Sequence, residues 1–313
     1  SDGCLPGYLV YARDCTEFAS AAVRNFALLE SCTHNGLLCG GPHYVQAGQS
    51  ICVHHTFEHA KMLSLVQDLS LFSGIVEQKA QLPRTTREGL HYFGELASWI
   101  LTRQKFTATV TGYDWEYLPG GHVSGGSLSL YYHTAAGLLL CAGMGKYVLK
   151  ERNNMQVPTP STLHECLALR LEVNQDGDSF SSIYDDEAAI SWEGDCCTVR
   201  GVLRNINHHA LEGGRGQYLM HYNFTNEKLV ISSHCPIATL ICPIISEVAE
   251  QVSTTAHSLT IVKHTAFIQL SVSGNYVLPY GQERIFNLIP GFQALRIDLP
   301  ATNEARVIEL SVK

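Results

Sequence analysis

Hydrophobic and polar positions change rhythm once along this chain. Up to residue 103 the apolar residues recur at helical spacing, and from 104 onward they alternate with polar ones. "ARDCTEFASAAVRNFALLESC" predicts an alanine-rich helix. It stops before "THNGLLCGGPHY", where Asn35, Gly36, Gly40 and Gly41 punctuate a loop. "HHTFEHAKMLSLVQDLSLF" predicts a second helix with Met62, Leu65, Val66, Leu69 and Phe72 as its apolar stripe. "TTREGLHYFGELASWILTR" predicts a third, capped by Thr85 or Thr86 with Glu88 just inside.

Beyond 104, ten segments read as strands, from "KFTATVTGYDWEY" through "GSLSLYYH", "LALRLEVN", "CCTVRGVL", "GQYLMHYNF" and "EKLVISSH" to "ALRIDLP". Gly, Asn, Asp and Pro separate them, and "NQDGDS" is a turn. So many short strands predict a large antiparallel β-sandwich. The expected fold is therefore α+β, with a helical segment over 1–103 and a sandwich over 104–313.

Composition narrows the partners. The 313 residues are 45% hydrophobic and 16% charged, as in a core-forming protein. The net charge of −8, without a lysine or arginine run, argues against nucleic acid. An acidic ligand would need a local basic pocket. No stretch predicts a membrane span. "LVISSHCPIATLICPIISEVA" is broken by Pro236 and Pro243 and reads as buried strands. The opening "SDGCLPGY" has no leader pattern, so the expectation is a processed chain or one beginning inside a longer protein. Eleven cysteines without a C-x-x-C motif read as small buried apolar residues.

Two regions carry candidate chemistry. In "CVHHTFEHAK", His55 and His59 share a helix face with Glu58 beside them, spelling H-x-x-E-H. Two imidazoles so spaced can ligate zinc while the glutamate activates water, although no third ligand is identifiable. The same residues also read as a hydrogen-bonded pair above the apolar stripe, or as a helix end facing a substrate groove. The second region, "GYDWEYLPGGHVSGGSLSLYYH", sets Asp114, Trp115, Glu116, Tyr117 and His122 around a Pro-Gly-Gly turn. Aromatic faces beside carboxylates suit sugar binding. They equally suit a turn with cross-strand aromatic pairs.

Together, "CVHHTFEHAK", "FGELASWILTRQKFTATVTGYDWEY", "GGHVSGGSLSLYYH", "NNMQ" and "IFNLIPGFQALRI" resemble the C-terminal half of heparinase II/III-like polysaccharide lyases. That resemblance implies the end of an incomplete α/α toroid followed by a β-sandwich. It implies β-elimination on uronic-acid glycans: a polar group neutralises the uronate carboxylate, a base removes the C5 proton and an acid protonates O4. In the family's H-x-H-x-D motif, His122 falls on the second histidine, Gly120 on the first and Ser124 on the aspartate. Ser127 and Leu128 fall on the strand start that follows. A family-type zinc lacks its aspartate, with Cys141 or His133 as substitutes in another geometry.

The resemblance implies an acidic polysaccharide as partner, and a missing N-terminal toroid part. It implies no required cofactor, with room for a structural zinc or calcium ion, and a periplasmic or secreted location. The expected catalytic groups are His122, His54 or His55, and Tyr44. His43, Trp115, Tyr117 and Tyr92 are the expected substrate contacts, and His55 and His59 the candidate metal ligands. Two alternatives stand beside the lyase: a glycan-binding module of the same fold without catalysis, and a zinc hydrolase using the 55–59 motif.

Overall fold

A computed structural model describes residues 5–49, 53–71, 86–114, 119–146 and 164–313, with His54 described by its backbone alone. The chain divides into two units, one built on residues 1–88 and the other on 89–148 and 163–313.

The first unit is helical. Helices α1 (Leu5–Tyr11), α2 (Thr16–Ser31) and α3 (Val53–Asp68) follow one another. They bury Leu5, Leu9, Ala12, Ala19, Ala22, Val66 and Leu71 in one cluster. Small alanines on α2 let the helices approach closely. The expected α3 stripe is only partly used: Val66 is buried, whereas Leu65 and Leu69 are exposed. Between α2 and α3 the expected loop holds a short hairpin, β1 (Thr33–His34) and β2 (Leu37–Leu38). Asn35 and Gly36 turn it with φ of 51° and 75°, the mirror-image turn that an Asn-Gly pair favours.

The helix expected over 85–103 is not formed. Residues there build β3 (Gly89–Phe93) and β4 (Ser98–Arg103), an antiparallel hairpin with Tyr92 opposite Trp99. The two rings stack at 4.6 Å between centroids. Gly89 and Gly94 weaken a helix, and the aromatic and β-branched residues suit a pleated surface. Pairing of β4 with β5 (Phe106–Thr111) then satisfies the backbone. Strand structure thus begins 15 residues earlier than the change of rhythm at 104 suggested. Tyr92, expected on a helix, stands on a strand and is 58% exposed.

The second unit is a sandwich of antiparallel sheets. Its remaining strands are β6 (Ser127–His133), β7 (Gly137–Cys141), β8 (Arg170–Gln175), β9 (Asp178–Ser181), β10 (Ala189–Glu193), β11 (Cys196–Val202), β12 (Gln217–Phe224) and β13 (Lys228–His234). They continue with β14 (Thr239–Ile245), β15 (Gln251–Thr254), β16 (Ser258–Val262), β17 (Phe267–Val272), β18 (Ile285–Asn287), β19 (Phe292–Leu299) and β20 (Arg306–Val312). One sheet has the order β10-β11-β12-β13-β20-β17-β16-β15. The others run β18-β19-β14-β8-β9 and β3-β4-β5-β6-β7. The expected strand "GKYVLKE" falls largely outside the described residues.

Alternation explains the packing. On β13, Leu229, Ile231 and Ser233 point inward and meet Leu310, Ile308 and Arg306 of β20 in register. The core they join draws residues from all three large sheets. Each fully buried Leu or Ile contributes about 2 kcal/mol. Strand β14 is buried on both faces and still contains Pro243. Its pairing with β8 ends at Ile241, so proline removes no donor from that ladder. The expected turn at 176–177 joins β8 to β9, with φ of 53° and 88° at Asp176 and Gly177.

The described cysteines follow the expectation of buried residues only in part. Nine are unpaired thiols, of which Cys39, Cys197, Cys235 and Cys242 are buried. Burial raises the Cys141 thiol to about 11 and those of Cys197 and Cys242 to about 12.

A tight link, 119–126, carries the chain into β6. Gly125 and Gly126 have φ of 69° and 67°, and a Cβ on Gly126 would lie 2.5 Å from Val199 Cγ1. Gly126→Ala therefore combines left-handed strain with overpacking. The expected loss is about 3 kcal/mol in urea unfolding. A loss under about 0.5 kcal/mol would show that the link yields freely.

Candidate active site

The sequence-predicted groups fall in different units. In the helical unit, His43 and Tyr44 sit in a turn where Ala47 N–H donates to His43 O at 3.0 Å and Gln49 N–H to Tyr44 O at 2.8 Å. Both side chains are buried. The Tyr44 ring lies where a Cβ on Gly40 would stand, so its phenol is closed off from solvent. His55 and His59 are on α3 as expected. The Nδ1–H of His59 donates to His55 O at 2.6 Å, an intrahelical bond, and Glu58 is exposed. His54 is on the same helix. Among the described residues, no group of three or more His, Cys, Asp and Glu side chains converges as a metal site. Trp115 and Tyr117 lie outside the described residues.

In the sandwich unit, one predicted residue stands at the centre of an ordered site. His122 is about one-third exposed, and its Nδ1 lies 2.6 Å from Asp114 Oδ2. A carboxylate accepts, so Nδ1 carries the hydrogen, and in the neutral imidazole the lone pair is on Nε2. Asp114 follows β5. Its backbone N–H donates to Ser124 Oγ at 3.0 Å. Ser124 N–H in turn donates to Ile183 O at 2.9 Å. The residue on the aspartate position of the H-x-H-x-D motif is thus a backbone anchor.

Gly120, on the motif's first histidine, has φ of 71°. A Cβ there would lie 2.5 Å from Ile206 Cδ1. No histidine fits this position without moving Ile206. Lys146 N–H and Gly145 N–H donate to Gly120 O and Gly121 O at 2.6 and 3.1 Å, which pins the turn from its other side.

Below the link, sequence reasoning missed the groups that hold it. Tyr218 and Tyr222 project from β12. They donate to Gly125 O and Gly126 O at 3.0 and 3.1 Å. The single hydrogen of Tyr218 is shared with a second acceptor, Asp185 Oδ2, at 3.1 Å. Burial first, and then the Asp185 charge, push the Tyr218 phenol well above its ordinary range. It is therefore a permanent donor, not a titrating group. Asp185 also accepts from Val202 N–H at 2.8 Å, Glu187 N–H at 3.1 Å and Arg204 Nε at 3.1 Å. Arg204 further pairs with Asp186 and Glu187. Burial opposes its charge, yet these carboxylates hold its guanidinium above its ordinary value.

Arg204 begins the loop that borders the site beyond Ile206. Its Nη1 donates to His208 O at 2.8 Å, and Asn205 Oδ1 accepts from Asn207 and His209 N–H. His208 is left-handed, with φ of 63°, and its Nδ1–H donates to Tyr184 O at 2.9 Å. The signal that could have marked this wall was the cluster "YDDE" followed by "RNINHH", acidic and then basic within 26 residues.

Comparison with known proteins agrees with this division of the chain. The ulvan lyase C-terminal domain family matches residues 90–313, and the ulvan lyase N-terminal domain family matches residues 1–85. A broad-specificity ulvan lyase of Formosa agariphila is 33% identical over 313 residues, covering 95% of this chain and 49% of that protein. The chain thus spans about half the length of this relative. A solved protein of Synechocystis sp. PCC 6803 aligns with a TM-score of 0.32 and 10% identity, covering 72% of this chain and 96% of that one. At that score the likeness carries no argument. The protein belongs to a polysaccharide lyase family, and specifically this chain is a member of the ulvan lyase family. The heparinase II/III-like resemblance is finer than these matches reach.

Tyr218→Phe tests whether the phenol holds the link. It removes one donor from two buried acceptors. The expected cost is about 2 kcal/mol in urea unfolding. Unchanged stability would mean that the link holds itself.

Proposed function

We propose that this chain forms part of a polysaccharide lyase that cleaves a uronic-acid-containing glycan of the ulvan type by β-elimination. One observation carries the reading: 33% identity to a broad-specificity ulvan lyase across 95% of the chain. The His122 site supports it chemically. In the reaction, the C5–H bond breaks and its electron pair becomes the C4=C5 double bond as C4–O4 breaks. The proton passes to a base, and O4 takes a proton from a neighbouring acid or from water. His122, with its lone pair on Nε2 and partial exposure, suits the base. The finer, heparinase II/III-like version of the reading takes His54 or His55 as carboxylate neutraliser or base; Tyr44, its acid/base candidate, is enclosed and drops out of it. A periplasmic or secreted location and an optional structural divalent ion belong to the same proposal.

Gly120 favours a second reading, a glycan-binding module without catalysis, because Ile206 fills the place where the motif's first histidine would begin.

The deciding experiment is ultraviolet absorbance of the full-length protein with ulvan and other uronic-acid glycans, since the new double bond absorbs. The lyase reading expects a rise on at least one glycan. His122→Ala should then lower kcat by about 10²- to 10⁴-fold with an unchanged melting temperature. A flat trace on every glycan with retained binding would establish the binding module instead.

A further inference from the structure

We infer that Asp114, at the end of β5, is the positioning residue of His122. The inference rests on the lyase reading only for its kinetic consequence.

Three observations converge on it. The Asp114–His122 contact is 2.6 Å, the length of a charge-assisted bond. A bare carboxylate can only accept, so it fixes the imidazole with hydrogen on Nδ1 and the lone pair on Nε2. Second, Asp114 is held in place by its backbone. Its N–H is bound to Ser124 Oγ, and Gly125 N–H donates to Gly112 O at 2.9 Å two residues earlier. Ser124 therefore anchors the strand end that brings this carboxylate to the ring. Third, the opposite side of the turn is closed by backbone bonds from 145–146 to Gly120 and Gly121. The ring is thus approached by a carboxylate on one nitrogen, with the other nitrogen as its basic atom.

The role follows from the charge change during proton transfer. When Nε2 takes the C5 proton, the imidazole becomes a cation. A carboxylate on Nδ1 stabilises that cation and holds the ring in the productive tautomer. Asp114 does not itself receive the proton. Its side chain is 51% exposed, so its contribution to folding is small, and a substitution reports on the imidazole.

The test uses the full-length protein and two readouts. Nitrogen-15 NMR of the His122 ring should show the Nδ1–H tautomer in the native protein. In Asp114→Asn the Nε2–H tautomer should appear, with the melting temperature unchanged. In the absorbance assay, Asp114→Asn should lower kcat about a hundredfold while KM stays nearly constant, and Asp114→Glu should recover part of the loss. A tautomer unchanged in Asp114→Asn would overturn the inference, even in a protein with no lyase activity. If His122→Ala abolishes turnover but Asp114→Asn leaves it intact, the inference fails and the lyase reading stands. If His122→Ala keeps full turnover, the base assignment itself fails.

Discussion

Asp185 is a carboxylate with almost no contact with water, and it meets four donors: a tyrosine hydroxyl, two backbone N–H groups and an arginine. A buried charge of this kind is tolerable only when its lone pairs are satisfied, and removing its charged partner costs about 3–5 kcal/mol. That constraint organises the sandwich end where His122 sits. Through Tyr218 it reaches the glycine link, through Val202 the end of β11, and through Arg204 the loop at Ile206. The absent side chain at Gly201 belongs to the same arrangement, because a Cβ there would strike the Asp185 carboxylate and the Tyr218 ring. The site is therefore mounted on a buried polar hub.

Much of the fold was legible because alternation and turn chemistry are local properties. Leu229, Ile231 and their partners on β20 announce themselves by spacing, and Asp176-Gly177 by composition. The helical reading of 85–103 failed for a non-local reason. Apolar residues of a tight hairpin mimic a helical period when read in one line, and β5, which secures β4, follows only after it. The hairpin at 33–38 was passed over because its strands are two residues each, although Asn35-Gly36 is a strong turn pair.

The site was legible in part. His122 stood out beside its glycines, and it pairs with Asp114. What could not be read is which carboxylate it faces, since Asp114 lies eight positions before it and the motif pointed to Ser124. Nor could spacing reveal that Ile206, 86 positions away, occupies the ground above Gly120. Tyr44 misled for a simpler reason: a tyrosine in a glycine-rich loop looks exposed on paper, and here the missing Cβ at Gly40 is what lets its ring be enclosed.

The enclosed thiols have a consequence for the chemistry of the chain with oxidants. Exchange with a disulfide begins from the thiolate, and burial keeps Cys141, Cys197 and Cys242 protonated at any physiological pH. Once folded, these sulfurs are slow to react with oxidants that would scramble a flexible chain. Their exposed interval is the one before the sandwich closes, when the same sulfurs ionise as ordinary thiols.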